Sequence, residues 1–315
     1  MYRVFILLLF ASVVSACESS EYNGFDLRNS AVPRDAIHPG GPLRDGIPAI
    51  DQPRFQSADG ATWLKPDDRV LGLASDGIQR AYPVRILDHH EIVNDRIGDA
   101  SILVSYCPLC GTGMAFRLRP GRDSEGFGVS GLLYNSDMLL YDRASDSLWS
   151  QILARAVSGP RIGERLVSVP LEHTTWKDWR KRHPATQVLS RDTGYRRDYG
   201  RSPYPGYAKD KALYFPVSRL DRRYHPKARV LGIVIGDDAR AYPYSELARV
   251  ETPFHDRVGG RDLLVDFDAK NDSARLLDRD GEVLPAVSGY WFAWMAFHPD
   301  SRVFRAKGAR ESKRD

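Results

Sequence analysis

The chain has 315 residues, with 45 lysines and arginines against 41 aspartates and glutamates, three cysteines and a formal net charge of +4. That near-balance offers no strongly basic face for nucleic acid, and three cysteines are too few for a disulfide-stapled framework. The length allows a large core, in one big domain or two smaller ones.

At the N-terminus Arg3 precedes an apolar run from Val4 to Val14, followed by Ser15, Ala16 and Cys17. The run is too short to span a bilayer and has the order of a secretory signal segment over residues 1–16. Val14-Ser15-Ala16-Cys17 resembles the lipobox of bacterial lipoproteins, in which cleavage precedes the cysteine and the new N-terminus carries lipid. That resemblance implies a protein of the cell envelope, anchored to a membrane through Cys17 and facing the periplasm or the exterior. Glu18 at the next position favours the outer membrane in a Gram-negative cell. Acyl chains at about 0.8 kcal/mol per buried methylene hold a folded body without a spanning helix. The alternative is an ordinary cleaved signal with an incidental cysteine.

Residues 17–46, rich in Gly, Pro, Ser and charge, read as the lipidated cysteine and a tether whose later half is free to lie along the fold. Residues 47–190 form a first lobe, 191–211 an irregular connector, 212–306 a second lobe and 307–315 a polar tail. The two lobes are related by an internal repeat, about 66–107 and 226–268. Val70, Leu71, Gly72, Arg80, Ala81, Tyr82 and Pro83 match Val230, Leu231, Gly232, Arg240, Ala241, Tyr242 and Pro243, each 160 positions later (230 − 70). Two copies are too few for a solenoid and predict two packed lobes about a pseudo-two-fold axis. Each copy reads as a strand, a turn, a returning strand ended by proline, a short helical turn and a further strand ending at Tyr106 or Phe267. Strands follow at Phe127–Leu133 and Met138–Asp142, with helices at Thr174–Arg182 and Ser288–Phe297. The fold class is α+β, predominantly β.

In Ser-Tyr-Cys107-Pro-Leu-Cys110-Gly111 the tight turn aims two sulfurs at one point, as in a metal knuckle. Two thiolates need further ligands. His90, beside Glu91, is preferred to His89, and water, an aspartate or the remote His298 completes the shell. Thiolate with imidazole suits copper or zinc. The second copy carries Val250 opposite His90 and Asp268 opposite Cys107, so the unshared residues are the better functional candidates and shared ones such as Tyr82 and Tyr242 read as architecture. A pocket wall is expected from Tyr134, Asn135, Ser136, Asp137 and Trp149, with His89 and Glu91. Two alternatives stay open. A thiol–disulfide oxidoreductase would cycle the two cysteines, although Gly111-Thr112-Gly113 makes a poor helix start. A non-catalytic binding module would keep them as a disulfide. Expected partners are a membrane through Cys17 and a metal or protein of the envelope. Nucleotide-binding and common hydrolase motifs are absent from the sequence.

The segments HEIVND, SYCPLCGTGMAF, GLLYNSDMLLYDRASDSLWSQ and YWFAWMAFHPD, in that order, resemble the prokaryotic family known as domain of unknown function 3179, from about Asp45 to Arg305. The resemblance implies that the four motifs share one fold. It assigns no reaction.

Overall fold

Strands account for 40% of the structure and helices for 11%, so the fold is predominantly β within the α+β class. The computed structural model describes residues 21–306 apart from 122 and 124. The signal segment, Cys17 and the polar tail therefore lie outside the described residues. Among those described, no helix is long and apolar enough to cross a membrane.

The two segments matched in the sequence, about 66–107 and 226–268, run through the same elements. Arg69–Ser75 and Ile78–Pro83 form a hairpin with Leu71 opposite Tyr82, and Arg229–Ile235 and Asp238–Pro243 form one with Leu231 opposite Tyr242. Each is followed by a helix, α1 over Val84–His90 and α3 over Tyr244–Leu247. A second hairpin then follows, Ile92–Ile97 with Ala100–Cys107 or Phe254–Val258 with Arg261–Asp268. A later strand flanks each first hairpin, Glu172–Thr175 beside Arg69–Ser75 and Val287–Tyr290 beside Arg229–Ile235. These strands lead into α2, Trp176–Arg182, and α4, Trp291–Phe297. The helix expected from Ser288 therefore starts later, because Ser288–Tyr290 are used in strand pairing.

Shared residues hold this frame. The Tyr82 hydroxyl donates to Asp95 at 2.5 Å and the Tyr242 hydroxyl to Asp256 at 2.9 Å, with Arg80 and Arg240 paired to the same carboxylates. Trp179 and Trp294 lie flat on the first hairpins, where a Cβ on Gly72 or Gly232 would fall 2.2 or 2.3 Å from the indole. Only glycine allows that contact. Both indoles end in a hydroxyl, Trp179 donating to Thr186 and Trp294 to Ser301, each at 2.9 Å.

The second hairpin of the first segment extends the sheet of the second, whereas Phe254–Val258, Arg261–Asp268 and Ser273–Leu277 form a separate three-stranded sheet. Ala100–Cys107 and Thr112–Arg117 join the sheet of the second segment, where Gly113 meets Ser288, so one eight-stranded sheet contains strands from both sides of the 191–211 connector. The Asp268–Ser273 turn reaches the first segment, with the Thr175 hydroxyl donating to Asn271 at 2.7 Å. The loop between Cys107 and Thr112 takes the matching place, where Tyr290 N–H donates to the Cys110 carbonyl at 2.8 Å.

A five-stranded sheet covers this arrangement in the order Arg155–Ser158, Leu148–Ser150, Asp137–Asp142, Phe127–Tyr134 and Ile37–Pro39. Its last strand falls in the later half of the expected tether, which does lie along the fold, and the earlier half is anchored as well. His38 pairs with Leu133, and Phe25, Leu27 and Ile37 are each 1% exposed. Three isolated apolar anchors among turn-forming residues have no period to betray them, yet their burial fixes the segment to the body.

Candidate metal centre

Cys107 ends a strand and Thr112 opposite it begins the next, so the four intervening residues must reverse the chain. Gly111 does so at φ +60°, and a Cβ there would strike the Tyr290 ring at 2.9 Å. Facing this loop is the tight hairpin between Phe127–Tyr134 and Asp137–Asp142. Asn135 and Ser136 both take positive φ, 52° and 62°, the demand of a two-residue turn matched to strand twist. The turn is pinned from outside, as Asn135 accepts from Ser218 N–H at 2.7 Å and the Ser136 hydroxyl donates to the Phe215 carbonyl at 2.7 Å. Its inner carbonyl, that of Ser136, accepts from Cys110 Sγ at 3.3 Å and meets Cys107 Sγ at 3.9 Å.

The next residue completes the cluster. Donor atoms of Cys107, Cys110 and Asp137 all lie within 4.8 Å of one another, and all three residues are buried. Asp137 Oδ2 accepts from Ile152 N–H at 3.1 Å, whereas Oδ1 is buried with no hydrogen-bond partner. Both cysteines are free thiols within the largest apolar core. Burial raises both thiol pKa values, and it lifts the Asp137 carboxyl to about 7 against the opposing effect of the Ile152 and Met138 amides and of the two thiols. Glu91 stands beside the cluster at φ +58°, just past α1. Burial first, then the charge of Asp137, push its carboxyl up to about 8. Glu91, Leu109, Met138, Tyr204, Tyr214 and Phe215 border a cavity of about 200 Å³.

A tetrahedral ion with sulfur at about 2.3 Å and oxygen at about 2.1 Å needs donors roughly 3.5–3.8 Å apart. The cluster's 4.8 Å ceiling accommodates that spacing with small adjustments of side chains. Zinc takes sulfur and carboxylate oxygen together, whereas copper(I) favours sulfur alone.

The expected histidine ligands are elsewhere. His90 lies at the end of α1, where Nδ1–H donates to the Pro48 carbonyl at 2.8 Å; Nε2 then accepts from the Tyr199 hydroxyl at 2.7 Å. With both ring nitrogens used and no place in the three-residue cluster, His90 is a clamp on the connector rather than a ligand. His89 helps it, donating from Nε2 to the Arg201 carbonyl at 3.0 Å. His298 caps α4 with its ring 4.3 Å from Trp294, as His183 sits 4.0 Å from Trp179. It borders a different cavity, of about 310 Å³, with Met114 and Gly232. Of the expected pocket wall, Asn135, Ser136, Asp137 and Glu91 gather at the cluster. Tyr134 instead packs edge-on to Phe297 at 5.5 Å, and Trp149 is core, its indole donating to Asp142 at 2.8 Å. Asp137 was legible only as pocket wall; the hairpin signal Asn-Ser between two apolar strands is what could have placed it at the sulfurs.

The second segment clarifies what the loop requires. Opposite Cys107 and Cys110 stand Asp268 and Asn271, whose side chains bond at 2.6 Å while Asp268 also accepts from Lys270 N–H. That turn closes itself by hydrogen bonds. The first turn has two thiols and a carboxylate in the same place.

No curated protein and no solved structure matches this chain. The family model described as protein of unknown function, DUF3179, matches residues 44–301, well over half of the sequence. The chain carrying this Cys-Cys-Asp cluster therefore belongs to the DUF3179 family.

Proposed function

We propose that Cys107, Cys110 and Asp137 bind one transition-metal ion, zinc in preference to copper, in a protein carried on the cell envelope through lipid at Cys17. The observation that carries this reading is a buried carboxylate oxygen with no partner, in a group with two buried thiols. A buried carboxylate with one oxygen left unpartnered is costly, and an ion satisfies that oxygen together with both sulfurs. The carboxylate in place of the expected imidazole is what favours zinc.

Three protein donors leave one coordination position. In that position zinc would bind water or polarise a carbonyl or phosphoryl oxygen. The thiol–disulfide reading has less support. Exchange needs an accessible thiolate of lowered pKa, whereas Cys107 is 2% exposed, burial raises its thiol, and no helix begins at it.

Cobalt substitution tests the metal reading. Metal-free protein titrated with Co²⁺ should develop sulfur-to-cobalt absorption in the near ultraviolet and intense tetrahedral bands in the visible at one equivalent. Cys110→Ser should lose most of the former. Weak octahedral bands, or none, would refute the site. The anchor is tested by Cys17→Ser, which should move the expressed protein from the membrane fraction to the soluble fraction; unchanged membrane retention would contradict lipidation.

A further inference from the structure

We infer that Arg69 and Arg229 form a second binding site, for a small oxyanion such as a carboxylate or phosphate, at the junction of the two repeated segments. The two arginines hold equivalent places, each the first residue of its hairpin. Both reach the Asp268–Ser273 turn. Arg69 Nη1 and Nη2 donate to the carbonyls of Asn271 and Asp272 at 2.6 and 3.1 Å. Arg229 Nη2 donates to the Ser288 hydroxyl at 3.0 Å, but its Nε is buried with no hydrogen-bond partner.

Neither guanidinium has a carboxylate within hydrogen-bond distance: Arg229 Nε lies 3.9 Å from the half-exposed Asp272 carboxylate, and no carboxylate lies within ion-pair distance of Arg69 among the described residues. Burial first, then the positive charge of Arg229, lowers the Arg69 pKa to about 10. His173 nearby adds no balancing charge, since it is buried, kept neutral by burial, and its Nε2 accepts from Gly113 N–H at 3.1 Å. The Arg229 side chain keeps 22% of its surface exposed, so the two like charges stand at a partly solvated edge that an anion from solution can reach and neutralise.

The surroundings suit an oxyanion. The hydroxyls of Tyr106 and Tyr290 have no hydrogen-bond partner among the described residues, and both feel the Arg229 charge. Guanidinium groups bind carboxylate or phosphate oxygens in pairs, with charge-assisted bonds stronger than neutral ones. Tyr290 also packs on Gly111, so a bound anion would sit against the cysteine loop. The inference does not depend on a metal being there.

The test is thermal unfolding of the protein, with its metal content fixed, in sodium phosphate, sodium acetate and sodium chloride at equal ionic strength. Phosphate or acetate should raise the midpoint saturably by several degrees over chloride, and which of them does so distinguishes a tetrahedral from a planar ligand. Arg69→Gln and Arg229→Gln should each abolish the saturable rise, measured against the same variant's midpoint in chloride. In the unaltered protein the Arg229 Nε–H NMR signal should shift along the same titration, which keeps the test valid if a variant fails to fold. Identical midpoints in all three salts, or a rise that survives both substitutions, would overturn the proposal.

Discussion

Replacing Asp137 by asparagine should separate the stability of the empty protein from its hold on metal, moving the two in opposite directions. Asparagine keeps the shape and can still accept from Ile152 N–H. In the metal-free protein, burial lifts the Asp137 carboxyl from 3.8 to about 7. Between those values the folded state holds a proton that the unfolded state has released, so stability falls as pH rises through the window. At about 1.4 kcal/mol per tenfold change in proton affinity, the loss is about 2 kcal/mol at pH 5.5 and about 4 at pH 8. The asparagine side chain has no such proton to lose. Asp137→Asn should therefore gain about 2 kcal/mol over the parent between pH 5.5 and pH 8, measured by urea unfolding with chelator present. Its zinc affinity, measured by competition with a chromophoric chelator, should fall at least about 100-fold, since even groups behind the ligands are worth about 10–100-fold. An asparagine variant that binds zinc as tightly as the parent would refute Asp137 as a ligand.

Three further outcomes are expected. His90→Ala should leave zinc affinity within about twofold while costing about 2–3 kcal/mol, because it strands the Pro48 carbonyl and the Tyr199 hydroxyl; a large loss of zinc would restore it as a ligand. Gly72→Ala and Gly232→Ala should each destabilise by about 1–3 kcal/mol, since the methyl meets Trp179 or Trp294 at 2.2 or 2.3 Å, and unfolding midpoints equal to the parent would contradict that packing. Glu91, held to about 8 by burial, should make the metal-free protein lose stability as pH rises from about 4.5 to 8, and Glu91→Gln should flatten that slope; an unchanged slope would show that Glu91 ionises freely.

Much of the frame was legible because glycines and aromatics repeat at fixed spacing. The match at 160 positions covers the first hairpin and continues at 161 (256 − 95) through the second, yet the tryptophan helices correspond at 115 (291 − 176). The Phe127–Ser158 meander interrupts the first segment and breaks the spacing. The joining of Ala100–Cys107 and Thr112–Arg117 to the second segment's sheet was not legible, because alternation of apolar residues fixes which face a strand buries and not which neighbour it joins. At the site, the cysteines announced themselves by spacing. His90 misled because a buried histidine beside a carboxylate looks alike in sequence whether it holds a metal or a tyrosine. Asp137 was obscured by its position after Asn-Ser, a good turn sequence in its own right.

The most direct measurement is elemental analysis of the purified protein beside a count of free thiols after unfolding in chelator. One equivalent of zinc, with two titratable thiols and no metal in Cys107→Ser, is the expected result. Metal-free protein with Cys107 and Cys110 joined in a disulfide would contradict the metal centre.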